Sequence, residues 1–70
     1  MALTDTTKHL ITLLKGIGID LETTQMVCAE LSEGEQIQMG KFIQRRYREK
    51  GEVTEDEILR VFVNLTQSRQ

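Results

Sequence analysis

Proline is missing from all 70 residues, which leaves helices uninterrupted and removes support for polyproline or loop-rich architectures. Cysteine occurs once, at Cys28. One thiol cannot close an intramolecular disulfide or build a cysteine-based zinc site, and it fits a reducing compartment. Histidine also occurs once, at His9, so no imidazole pair is available for a metal. At the margin of an apolar helix face, beside Leu13, it reads as a half-exposed packing residue. No apolar run approaches the roughly 18 residues of a membrane span, and the N-terminus has no signal-peptide pattern. The expectation is a cytoplasmic protein with no membrane partner.

What is present is ordinary for a small globular chain. An apolar fraction of 39% with 29% charged residues is too hydrophobic for a disordered tail. A single domain over residues 1–70 would bury only about 60% of its unfolded surface, so efficient packing or self-association must support it. The net charge of −2 argues against a protein that coats nucleic acid with its whole surface.

Apolar residues recur with helical period, and no segment alternates with period two. Leu3, Leu10, Leu13 and Leu14 share one face of a first helix, about residues 5–15. Thr4 or Asp5 can cap it, and Gly16 is expected as the left-handed residue that ends it. In the connection, Ile17 and Ile19 are expected to plug the core. Asp20 caps a second helix, about 21–31, whose inner face carries Leu21, Thr24, Val27, Cys28 and Leu31. Cys28 reads as a small core residue with no activating base, and Met26 projects outward. Ser32 with Glu35 forms a capping box that opens a third helix, about 33–50. Met39, Gly40, Ile43 and Tyr47 are expected on its inner side, with another helix approaching Gly40 closely.

Lys41 to Ile58 joins a cationic helix end to an anionic helix start. Five of the nine basic residues lie between Lys41 and Lys50, and four of the eleven acidic ones between Glu52 and Glu57. Gly51 ends the third helix, and Thr54 with Glu57 forms a second capping box, stapled by Val53 and Ile58. Each sign suits the helix dipole at that end. Two features remain beyond architecture: Lys41, Arg45 and Arg48 form a stripe on one outer face, and Arg46 points beside the core, where its head needs a carboxylate. The fourth helix, about 55–67, has an apolar arc of roughly 200°, wider than one packing face needs. It is therefore either the central helix or part of a partner interface. Residues 66–70 read as a polar, fraying tail.

The segment from Gly51 to Glu57 resembles the second half of a calcium-binding EF-hand loop. The resemblance implies ligand positions at Arg46, Arg48 and Lys50, which are cationic and cannot coordinate calcium. A glycine cap followed by a stapled capping box needs the same residue types. Leu13 to Ile19 resembles the first helix and loop of ubiquitin-associated-like modules, three-helix domains, and that resemblance implies protein binding.

The expected fold is all-α, a small four-helix bundle of two helix–loop–helix units, with a degenerate, calcium-free EF-hand-like pair as the alternative. No catalytic, cofactor or metal-binding residues are assigned, and no enzyme activity is expected. The leading functional expectation is a module or regulator that binds another protein or a second copy of itself, through Leu59, Val63 and Met26. The alternative is a helix-turn-helix-like nucleic-acid-binding regulator using Lys41, Arg45 and Arg48.

Overall fold

The computed structural model describes residues 4–69 and contains four helices: α1 (Asp5–Gly16), α2 (Leu21–Glu30), α3 (Glu33–Lys50) and α4 (Glu55–Gln67). The protein is an all-α four-helix bundle. Leu3, expected on the inner face of α1, lies outside the described residues, as does Gln70. Each helix begins where a short polar side chain closes its first turn. The Thr4 hydroxyl accepts from the Thr7 N–H at 3.1 Å, and the Asp20 carboxylate accepts from the Thr23 N–H at 2.8 Å. Ser32 and Thr54 do the same within complete capping boxes, in which Glu35 and Glu57 return to the backbone of the capping residue. These contacts satisfy N–H groups the helix leaves open, at about 1 kcal/mol each.

The helix ends are less uniform. Gly51 has φ 76°, and its N–H donates to the Tyr47 carbonyl at 2.7 Å, as the sequence suggests. Gly16 does not play that part in α1. The helix runs through it, and Gly18 two residues later takes the left-handed conformation, φ 87°. There the Gly18 N–H reaches the Lys15 carbonyl and the Ile19 N–H reaches the Leu14 carbonyl. This paired closure brings the apolar residue after the glycine onto the last turn. Ile19 and Leu14 are both buried, so their contact selects Gly18 over Gly16.

α1 packs along α2 and α3, while α4 packs mainly on α3. Thr6 bonds Glu33, Thr7 bonds Gln36 and Leu13 approaches Gly40, so α1 and α3 run in the same direction. Thr23 bonds Glu55 and Arg69 reaches the Glu30 carbonyl, which makes α2 and α4 co-directional too. The central helix is therefore α3, between α1 and α4, and not α4 as its wide apolar arc allowed. Leu10, Leu14, Val27, Leu31, Met39, Ile43 and Ile58 form the core, closed from the loops by Ile19 and Val53.

Two expected core residues lie outside. Tyr47 is 54% exposed. At 1.5 Å per residue, the 18 residues of α3 span about 27 Å and the 12 of α1 about 18 Å. The two start side by side, so α3 outruns α1 and Tyr47 stands near and past its end. Leu21 is 61% exposed, because the buried stripe of α2 and its C-terminal cap is Thr24, Val27 and Leu31, and Leu21 in the first turn lies off it. The position Tyr47 was expected to fill is matched one turn before Met39 by Gln36, which is buried. Its amide nitrogen donates to the Cys28 and Leu31 carbonyls at 3.0 and 3.1 Å, and its oxygen accepts from the Thr7 hydroxyl at 2.8 Å. A buried amide with partners on three sides ties α1, α2 and α3 together.

Candidate functional site

Three surfaces combine exposure with chemistry. The first is the outer edge of α4. Ile58 is fully buried, and Val61, Phe62 and Leu65 pack against the core. Leu59 is half-buried outside that cluster, and Val63 is 45% exposed. Together they line a shallow depression rimmed by Asp56, Arg60 and Asn64. Met26 is 40% exposed on α2, between Thr23, which bonds Glu55 in α4, and Glu30, whose carbonyl accepts from Arg69 beyond α4.

The second surface is the cationic stripe. Lys41, Arg45 and Arg48 are all exposed. Among the described residues the ion pairs are Arg46–Glu57 at 2.9 Å and Arg69–Glu35 at 2.6 Å, so the three stripe cations have no acidic partner there. Arg46 behaves as the sequence suggests. Its guanidinium pairs with Glu57 and lies 5.5 Å from the centre of the Phe42 ring, within cation–π range. The Glu57 carboxyl is held below its ordinary range, first by the Thr54 N–H and then by the Thr54 hydroxyl and Arg46. That pairing also accounts for the EF-hand-like segment: Glu57, its final carboxylate, is engaged by Arg46, its first ligand position.

The third surface was not foreseen as a unit, because it depends on how α1 meets α3. A trough runs along their seam. Asp5, Thr6 and His9 form one wall, Ile37, Lys41 and Gln44 the other, and Gly40 lies between them. A second depression, which shares Gln44 with it, adjoins between Leu13, Tyr47 and Arg48. His9 is exposed at this wall and Lys41 belongs to both the stripe and the trough. The sequence carries Ile37, Gly40 and Tyr47 on one helix, and only the position of α1 brings them to one seam.

Arg69, in the stretch expected to fray, is tied to the bundle by partners distant in sequence. Its guanidinium bonds both oxygens of Glu35 and the Glu30 carbonyl. The Arg69 hydrogen bonds, with the Ser32 N–H, hold the Glu35 carboxyl down at about 2 from an ordinary 4.5. Cys28 is half-buried, and burial pushes its thiol upward, away from the thiolate that nucleophilic chemistry requires. Among the described residues no cluster of three or more His, Cys, Asp or Glu could hold a metal, and no helix is long and apolar enough to cross a membrane. The chain matches no protein-family model, no curated protein and no solved structure.

Proposed function

We propose that the protein is a small non-enzymatic interaction module whose α4 edge binds another protein, with a second copy of the chain as the first occupant to test. The observation that carries this reading is Val63, exposed beside Leu59 on a helix whose inner face is already satisfied by Ile58, Phe62 and Leu65. Apolar residues ringed by Asp56, Arg60 and Asn64 have the anatomy of a small interface core with a polar rim. Concentration-dependent light scattering tests it. The expected mass rises above 8.1 kDa with concentration, and Leu59→Asp with Val63→Asp restores the monomer without loss of helix content. A wild-type chain that stays monomeric to millimolar concentration removes self-association from the reading.

A second reading rests on the unpaired cations Lys41, Arg45 and Arg48, which could meet phosphates. The acidic start of α4 adjoins the stripe and opposes a polyanion. A salt-titrated gel shift decides it: replacing all three by glutamine must lower both the affinity and its salt slope.

A further inference from the structure

Packing does not account for Gly40. It is buried in the middle of α3, where glycine weakens a helix relative to alanine. α1 does approach it, as expected, but only to ordinary contact. A Cβ placed there would meet the Leu13 Cδ1 methyl at 3.5 Å, its nearest neighbour. Alanine fits, so the helix–helix contact does not require glycine. Gly40 also forms part of the floor of the α1–α3 trough.

The rest of the trough has the chemistry of a docking groove. Ile37 and Tyr47, 45% and 54% exposed, line this trough and the adjoining depression along the same seam. They are 10 residues apart on one helix, about 15 Å or three helical turns. Lys41 and Arg48 project from the same rim with no acidic partner among the described residues. We infer that this trough binds a short acidic amphipathic helix of a partner protein. Its apolar residues rest on Ile37, Leu13 and Tyr47, and its carboxylates face Lys41 and Arg48. Apolar anchors every third or fourth residue match a groove of this length, and the cations select the sign of the flanking charges. Tyr47 is the only tyrosine and offers one stacking platform where single-stranded nucleic acid uses several. The trough is a separate surface from the α4 edge, and this inference does not rest on the α4 reading.

The test uses an end-capped, fluorescent helical peptide of about 15 residues, the shortest length that holds a helix alone, with leucine along one face and glutamate on both flanks. Comparators are its lysine-for-glutamate version and oligouridine of the same length. Fluorescence anisotropy is expected to show the acidic peptide binding at least about tenfold tighter than the basic one. Amide shifts of the isotope-labelled protein should cluster on α1 and α3. Lys41→Glu with Arg48→Glu should invert the peptide preference. Gly40→Ala should raise Tm by about 4–8 °C and weaken peptide binding together, a split that a purely structural glycine cannot produce. Leu59→Asp with Val63→Asp should leave peptide affinity unchanged. Equal binding of the two peptides, tighter binding of oligouridine, or shifts centred on α4 would overturn the inference.

Discussion

Both the α2–α3 and the α3–α4 junctions lead into a helix opened by a capping box, yet the helices that end there are closed in different ways. α3 ends on Gly51, whose left-handed backbone and N–H bond to Tyr47 are written into adjacent residues. α2 has neither a glycine at its end nor a basic residue in its last turn. Its final carbonyls are met by Gln36 from α3 and Arg69 from beyond α4. The α3–α4 junction is local chemistry, whereas the α2–α3 junction is completed by side chains from later in the chain. Helix ends leave carbonyls that must find partners, and this chain solves the same problem once by backbone geometry and once by tertiary contact.

Removing the tertiary closure is expected to have the largest effect. Gln36→Leu strands the Leu31 carbonyl, whose bond is buried, and removes a partner from the half-buried Cys28 carbonyl and Thr7 hydroxyl, at about 2–4 kcal/mol. Against a total near 4–10 kcal/mol for a chain of this length, urea denaturation should show a large fall in midpoint. Gly51→Ala breaks the local closure. No atom stands within 4 Å of the added Cβ, so the cost is conformational, about 1–2 kcal/mol, with the fold and the urea slope unchanged.

Arg69→Ala should be the smallest of the three and is read through pH. The folded Glu35 carboxyl sits at about 2, below its ordinary 4.5, so its stabilisation is complete above pH 4.5 and is lost as pH falls toward 2. The Arg69 hydrogen bond is the largest cause of that depression. The variant should therefore lose less stability across this window than the wild type, in thermal melts from pH 6 to about 2. Glu57, lowered mainly by the Thr54 N–H, should titrate alike in both. An unchanged acid profile would mean that the Arg69–Glu35 pair contributes nothing in solution, as exposed pairs can.

The local junction explains why so much of the fold is legible from sequence. Asp20, Ser32 with Glu35, Thr54 with Glu57, and Gly51 each act within four residues, so helix starts and the end of α3 follow from pattern alone. What is not legible depends on distance. Gly16 and Gly18 are equivalent candidates until Ile19 finds Leu14. Tyr47 sits on the inner stripe of α3 by spacing, and only the shorter α1 exposes it. Gln36 reads as a polar surface residue because its three partners belong to other elements. For the same reason the cations and the α4 arc could be named individually, while the trough beside Lys41 could not: it belongs to neither α1 nor α3 alone.

The long-range closure of α2 also orders events in time. The Val27 carbonyl of α2 accepts locally from the Leu31 N–H, but the Glu30 carbonyl waits for Arg69, 39 residues away, so the closure is complete only when the chain beyond α4 has docked. Interactions formed that late act on escape from the native state. Removing the Arg69 contact is expected to speed unfolding and leave the rate of folding nearly unchanged, which stopped-flow kinetics would read. Arg69 thus helps to set how long the folded molecule lasts.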